Sequence, residues 1–393
     1  MSSGLLVLGD AAVHEILISL SKDEIYRVRD YLAKALEDFS TPEERRIAPD
    51  SVVVTRPHAK TLFRPFTSSE NVGIKIIVDP SAGSEALETA KSSSGKGNNA
   101  TLHGLLALCD KHGVPVGIIN ADEITAYRTS LSVMIPYVWR ARTARIVVFG
   151  AGKQALWHLR LALALRGDEI AQIAIVNRSA ERAESLVAQL QHENDARWKS
   201  PAKVTCISPT TPNYEQSLEG LLAEADVVFC TTPSAKPLFP TRCLKAQLTS
   251  SAGGTGCYMS SVGSWQPDMI ELDPQLLRDA VDSSRGKHPL GHGGGLVLVD
   301  DRNECLRSSG EVIGSQLQAD DLIEAGEMLS WARSSSSSSS SSSFSTNKSP
   351  HEWLSHGFVV YKSIGVSSTD LAAGMAILAL ARERGSGVSV ADF

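Results

Sequence analysis

Several things are scarce in this chain of 393 residues, and each scarcity closes a class of function. Lys and Arg number 38 against 44 for Asp and Glu, a net charge of −6, so the sequence lacks the positive surplus with which a nucleic-acid binder neutralises phosphates. The six cysteines, Cys109, Cys206, Cys230, Cys243, Cys257 and Cys305, are scattered without a CxxC pair, which fits reduced thiols rather than a disulfide framework or a zinc site. No GxSxG elbow, P-loop or HExxH occurs, so the usual signatures of hydrolases and phosphoryl transfer are missing. Met1 to Leu20 is apolar in places, but Asp10, His14 and Glu15 interrupt it. Neither a signal peptide nor a membrane span is readable there, and a cytoplasmic protein is expected.

What is present, 42% hydrophobic, 21% charged and only 6% aromatic residues, is the composition of a soluble protein with one or two cores, and the length favours two. Residues 23–40 place Ile25, Val28, Tyr31, Leu32, Leu36 and Phe39 on one face of an amphipathic helix. Short apolar runs at 51–56, 72–78, 102–109 and 114–120 read as strands of a sheet, and residues 123–140 as a helix. From Arg145 onward strands and helices alternate, through 145–149, 154–165, 173–176, 180–191, 204–207, 218–224 and 227–230. That alternation implies βαβ units and a parallel, Rossmann-like sheet. A run of ten serines, Ser334 to Ser343, has nothing to bury and is expected to form a disordered insertion over 334–349. A strand at 358–363 and a helix at 369–384 follow. The fold class expected is therefore α/β. Residues 141–333 form a dinucleotide-binding domain, and 1–140 with 350–393 form a second, α+β domain.

The chemistry is carried by few residues. Arg145-Ile-Val-Val-Phe-Gly-Ala-Gly-Lys-Gln-Ala155 is a hydrophobic strand running into GxGxxA and a helix. Gly150 permits a tight turn, Gly152 lets the backbone approach a pyrophosphate, and the helix N-terminus points its N–H groups at the anion. At the end of the second strand, where an acidic residue would clamp a free ribose hydroxyl, the chain reads Asn177-Arg178-Ser179. A guanidinium and a hydroxyl suit the extra phosphate of NADP(H) better than NAD(H), which stays possible; otherwise Arg178 is a solvated surface charge. Arg56, Lys75 and Arg128 are cations set in apolar surroundings. A small carboxylate substrate would compensate them, although Lys75 also reads as an edge-strand lysine facing solvent. His288 and His292 sit in a glycine-rich stretch, and no metal is expected.

The motifs VVVTRPH, VGIKIIV, ITAYRTS, VVFGAGKQALWH, IVNRS, ADVVFCTTPSAKPLF, SVGSWQPDMIELD, SGEVI and VVYKSIGVSSTD resemble, in order and over most of the chain, the ornithine cyclodeaminase and mu-crystallin family. The resemblance implies a homodimer in which the N-terminal segment and C-terminal helix build a substrate and dimerisation domain around a central Rossmann domain. It implies that Arg56, Lys75 and Arg128 surround the substrate carboxylate. Thr101, Arg128, Lys153, Gln154, Asn177, Thr232, Val262, Gly263, Ser363 and Ile364 then approach the cofactor. The activities it implies are NAD(P)H-dependent reduction of cyclic ketimines such as pyrroline- or piperideine-2-carboxylate, ornithine cyclodeamination, or non-catalytic binding of NADP and a small ligand. In one respect the sequence departs from cyclodeaminases, which carry an Asp shortly after the Val-Gly pair; here Val262-Gly263-Ser264 is followed by Trp265, and an indole cannot exchange a proton as a carboxylate does.

Overall fold

The computed structural model describes residues 4–79, 103–244, 248, 256–281, 296–337, 350–391 and 393. They fall into two compact units, Met1–Arg128 with Val366–Phe393, and Thr129–Gly365. The strands of the first segment are β1 (Leu5–Leu8), β2 (Val52–Arg56), β3 (Ala59–Thr67), β4 (Asn71–Asp79), β5 (His103–Asp110) and β6 (Pro115–Asn120). Those of the second unit are β7 (Arg145–Phe149), β8 (Gln172–Val176), β9 (Lys203–Ile207), β10 (Val227–Cys230), β11 (Tyr258–Ser261), β12 (Leu296–Val299), β13 (Leu322–Glu324) and β14 (Val359–Lys362), and β15 (Val388–Val390) closes the chain.

In the first unit the sheet order is β15-β1-β6-β5-β4-β3-β2. Only the β1–β6 pair is parallel. The amphipathic reading of residues 23–40 holds as a helix over Lys22–Phe39, started by a capping box in which Ser21 Oγ accepts from the Glu24 amide and Glu24 accepts from the Ser21 amide at 2.8 Å. Its Ile25, Val28, Leu32 and Leu36 are buried. The Ser367–Arg384 helix also belongs to this unit and buries Leu371, Ile377 and Leu378. It approaches the sheet closely at Gly374, where a Cβ would stand 2.7 Å from Leu106 Cδ2 and 2.8 Å from Leu108 Cδ1.

Strand β3 was not foreseen. Its sequence, AKTLFRPFT, carries Lys60, Arg64 and Pro65, and proline inside a run argues against a strand. The structure tolerates Pro65 because β2 pairs only with Ala59–Phe63. Pro65 lies beyond the end of β2, so the missing N–H falls on a free edge.

In the second unit every strand pair is parallel, in the order β13-β12-β14-β11-β10-β7-β8-β9. Strands such as IAIV in β8, VVFC in β10 and VVYK in β14 are buried along their length, as parallel strands covered by helices on both faces should be. Reading from β9 to β14, the order is the doubly wound one, with the switch point between β7 and β10.

Residues 129–140 and 350–365, expected in the first domain, belong to the second unit. Strand β14 accounts for the latter, since it hydrogen-bonds between β11 and β12. Of the segment expected to be a disordered insertion, Ser334–Ser337 instead complete the Ala325–Ser337 helix. Ser334 Oγ donates back to Ser330 O at 2.9 Å there, a local bond that extends the preceding apolar turns. Residues 338–349, Thr101 and the histidine-bearing stretch 285–295 lie outside the described residues. Among the described residues no helix is long and apolar enough to cross a membrane.

Candidate functional site

In the first unit, Lys75 sits at the middle of β4, opposite Arg64 on β3 and Leu106 on β5. Directly opposite residues of antiparallel strands share a face, so Arg64, Lys75 and Leu106 form one row across the sheet. The Ser367–Arg384 helix lies on that face, as the Gly374–Leu106 approach shows. Asp370 precedes Gly374 by one helical turn and therefore points the same way. Lys75 Nζ stands 2.6 Å from Asp370 Oδ2, and Arg128 Nε stands 2.8 Å from Oδ1. Arg64 Nη1 lies 4.0 Å from Oδ2, and Arg128 Nη1 donates to Thr369 Oγ1 at 3.4 Å.

The centre of this cluster is buried, and Arg64 is partly exposed. Lys75 is 1% exposed, Arg128 4% and Asp370 0%, so Lys75 is not the solvent-facing edge lysine its sequence also allowed. Burial pushes the Lys75 ammonium well below its ordinary value, and the neighbouring Arg128 and Arg64 push the same way while Asp370 opposes them. For Asp370, burial favours the neutral acid, but Arg128, Lys75 and Arg64 together hold the carboxyl below its usual range. Three cations thus converge on one ionised carboxylate.

Arg56 does not join them. It is exposed at the end of β2 and pairs with Ala59, five residues along β3 from Arg64, which is roughly 16 Å at the rise of a β-strand. Asp370 carried no role in the sequence reading. The signal for it was faint, an acid at the start of an otherwise apolar helix, STDLAAGMAILALA.

In the second unit the expected cofactor residues gather at the carboxyl ends of neighbouring strands. Gly150 follows β7 with φ +112°, a conformation reserved for glycine, and a Cβ there would strike Thr231 Oγ1 at 2.7 Å. Gly152 is the N-cap of the Lys153–Arg166 helix, makes no side-chain cap, and faces open space where a Cβ would stand. The first N–H groups of this helix are therefore presented to a space that an anion can enter. Lys153 and Gln154 form its first turn, and Ala155 is fully buried against the sheet.

Asn177, Arg178 and Ser179 follow β8. Asn177 Nδ2 donates to Ser179 O at 2.8 Å, Ser179 Oγ caps the next helix by accepting from the Arg182 amide at 3.3 Å, and Arg178 is exposed.

Two buried carboxylates that the sequence reading passed over tie the remaining loops together. Glu271 Oε1 accepts from the Thr232 amide at 2.6 Å, and its Oε2 accepts from the Gly263 amide at 2.7 Å and from Ser261 Oγ at 2.8 Å. Asp300 accepts from Ser363 Oγ at 2.7 Å and from the amides of Ile364 and Gly365 at 3.1 and 2.6 Å. Behind them Lys362 Nζ lies 3.1 Å from Glu311 Oε1 and donates to Ser264 Oγ at 2.7 Å. Val262 and Trp265 are half-buried beside these anchors. Among the described residues no group of three or more His, Cys, Asp or Glu could hold a metal ion.

Residues 137–255 match the family described as shikimate / quinate 5-dehydrogenase. An uncharacterised cyclodeaminase of Dictyostelium discoideum is 24% identical over 98% of this chain and 99% of its own length. The ketimine reductase mu-crystallin of Rattus norvegicus is 25% identical over 64% of this chain and 68% of its own. These likenesses are consistent with the ornithine cyclodeaminase and mu-crystallin family. Its fold agrees with that of Δ1-pyrroline-2-carboxylate reductase of Thermococcus litoralis, solved with NADH and L-proline, at TM-score 0.67 and 16% identity, covering 98% of this chain and 100% of that one. The cations gathered at Asp370 are Lys75 and Arg128, both buried, and Arg64, which is partly exposed.

Beneath the glycine turn lies His158, fully buried with Nδ1 at 2.8 Å from both Ser130 Oγ and Gln154 O. Burial pushes its pKa down from 6.5 to about 4 against the opposing pull of Gln154 O. The unfolded chain protonates near pH 6.5 and the folded unit near pH 4, so stability is complete above that window and falls as pH drops through it, by about 3 kcal/mol. Urea unfolding of the second unit at neutral pH and near pH 4.5 should show this loss, and His158→Gln should remove most of it.

Proposed function

We propose that this protein is an NAD(P)H-dependent oxidoreductase that moves hydride between the nicotinamide and the α-carbon of a small cyclic imino or amino acid, in the manner of a ketimine reductase. The observation that carries the reading is the buried meeting of Lys75, Arg128 and Asp370. An ammonium in the centre of a sheet is costly, and a site with more cations than carboxylates is complemented by an anionic ligand. A substrate carboxylate supplies that charge.

The glycine turn fits a dinucleotide. Gly150 and Gly152 with the amides of Lys153 and Gln154 would hold the pyrophosphate, while Thr232, Val262, Gly263, Ser363 and Ile364 would border the rest. Arg178, with Asn177 and Ser179, would hold a ribose phosphate, which favours NADP(H). The cofactor, when bound, supplies or accepts the hydride. The protein's own residues fix positions. Lys75 neutralises and orients the substrate carboxylate, Arg128 fixes it from a second side, and Asp370 holds both cations in place. Glu271 and Asp300 keep the cofactor loops rigid by occupying their amides. Catalysis on this reading is chiefly orientation. A homodimer belongs to it, supported by the exposed apolar edge of β2 at Val52, Val53 and Val54.

A cyclodeaminase is the second reading, favoured by likeness over nearly the whole chain to the Dictyostelium protein. Trp265 weighs against it. Release of ammonia from ornithine without net cofactor reduction would identify that activity.

Screening NADPH and NADH oxidation against cyclic 2-imino acids tests the main reading. Lys75→Met, which keeps the apolar stem, should retain cofactor binding and lose turnover by a factor on the order of 100; full turnover in the variant would contradict the role given to Lys75. The protonated form is the one that binds a carboxylate, so substrate affinity should weaken as pH rises, beginning well below the ordinary lysine value of 10.5. NADPH should bind more tightly than NADH, and Arg178→Ala should erase an advantage of roughly 2 kcal/mol. Equal affinity for the two in the unmutated protein would exclude the assignment of Arg178.

A further inference from the structure

We infer that Glu271 and Glu311 hold one proton between them through the hydroxyl of Ser261, and that this shared proton fixes the loops after β10 and β11 in which Thr232 and Gly263 lie. The assignment of those loops to a dinucleotide rests on the oxidoreductase reading, whereas the hydrogen-bond count behind the shared proton does not. Ser261, Ser264, Glu271, Glu311 and Lys362 are each 0% exposed. Ser261 Oγ stands 2.8 Å from Glu271 Oε2 and 2.9 Å from Glu311 Oε1. A serine hydroxyl carries a single proton and serves one of the two. The other contact sets two oxygens at hydrogen-bond distance and needs a proton of its own, which a carboxyl group must supply.

Two features place that proton on Glu311. Both oxygens of Glu271 receive backbone amides, from Thr232 at 2.6 Å and Gly263 at 2.7 Å, and an amide N–H only donates. Glu311 Oε2, by contrast, is buried without a hydrogen-bond partner among the described residues. An ionised oxygen left so carries a larger desolvation cost than the carbonyl oxygen of a neutral acid. The bonds then run from Glu311 Oε1–H to Ser261 Oγ, and from Ser261 Oγ–H to Glu271 Oε2. Ser264 Oγ donates to Glu311 Oε1 at 2.5 Å and accepts from Lys362 Nζ at 2.7 Å.

The charge closes as well, since two carboxyls with one proton balance the Lys362 ammonium. Burial pushes the Glu271 carboxyl upward and a charge on Glu311 adds to the push, so a proton on Glu311 removes the second contribution. The other titratable neighbours are Cys230 on β10, which faces Glu271, Glu311 and Lys362, and Cys305, which faces Asp300 and Lys362. Burial holds both thiols well above their ordinary value, so they stay neutral while the pair titrates. When the proton leaves, two ionised carboxylates compete for one hydroxyl and the dry cluster carries a net negative charge. The amides of Thr232 and Gly263 then lose their fixed acceptor geometry. Dinucleotide affinity therefore falls as pH rises through the value at which the pair gives up its proton.

The test combines infrared spectroscopy with NADH titration of the full chain from about pH 6 to about pH 10, a span that covers buried carboxyls. At pH about 7 the unmutated protein should show the C=O stretch of a neutral buried carboxyl. The band should fade toward high pH while NADH affinity falls about tenfold, the size of one charge-assisted hydrogen bond. Glu311→Gln places an amide donor where the acid proton stood. It should remove the band and keep at high pH the affinity that the unmutated protein loses. Glu271→Gln cannot accept from both amides, and should bind NADH about tenfold more weakly at every pH. A role limited to packing would leave the pH profile the same in all three proteins. Absence of the band at neutral pH, a band unaltered in Glu311→Gln, or one pH profile shared by Glu311→Gln and the unmutated protein would each overturn the inference. A band that depends on Glu311 in a protein that binds neither NADH nor NADPH would sink the oxidoreductase reading and leave the shared proton in place.

Discussion

An ammonium group inside a β-sheet is tolerable only with an anion against it, and the organisation of the first unit follows from how Lys75 obtains one. The anion is Asp370, distant in sequence and delivered by the Ser367–Arg384 helix. The delivery requires that helix to lie close on the sheet, which the absent side chain of Gly374 permits over Leu106 and Leu108. Removing one partner of such a buried pair leaves an uncompensated charge worth about 3–5 kcal/mol. The same constraint that holds the helix down therefore holds Lys75 and Arg128 in one geometry. That fixed geometry is what a substrate-binding cation needs.

The second unit solves a different problem by the same means. Loops at the carboxyl ends of parallel strands must present backbone to a ligand without collapsing onto one another, and their amides must not be left unpaired. Glu271 spans the loops after β10 and β11, and Asp300 spans the loop after β14. Burial pushes the Glu271 carboxyl upward, against Lys362 and the donated amide of Thr232. Where no side chain intervenes, at Gly152, the helix amides stay open. The division is physical: side-chain carboxylates close the amides that support the loops, and glycine leaves exposed those that a phosphate would take.

How much of this was legible in the sequence depended on range. The glycine turn was readable because strand, turn and helix are contiguous, so Gly150, Gly152 and Ala155 declare themselves within one short run. Asn177-Arg178-Ser179 was readable for the same reason, falling at the end of the next strand. The ionic cluster was not, because Arg64, Lys75, Arg128 and Asp370 come from two strands and two helices that only sheet register and helix docking join. Lys75 showed itself by being a cation in a β-branched run, yet that pattern fits an exposed edge equally well. Strand β3 was hidden by Pro65 and its charges, and with it Arg64, the cross-strand neighbour of Lys75. The buried carboxylates Glu271 and Asp300 looked like ordinary loop acids, since nothing local marks an acceptor for distant amides.

The central claim is that the buried cations on β4 and the Ala121–Tyr137 helix, Lys75 and Arg128, receive a substrate carboxylate. A crystal structure of the protein with NADP⁺ and a non-reacting cyclic amino acid tests it most directly. The account predicts the ligand carboxylate within hydrogen-bond distance of Lys75 Nζ and of the Arg128 guanidinium, with Asp370 still beside both. A carboxylate bound elsewhere, with the Lys75–Asp370 cluster left as it stands here, would contradict the account.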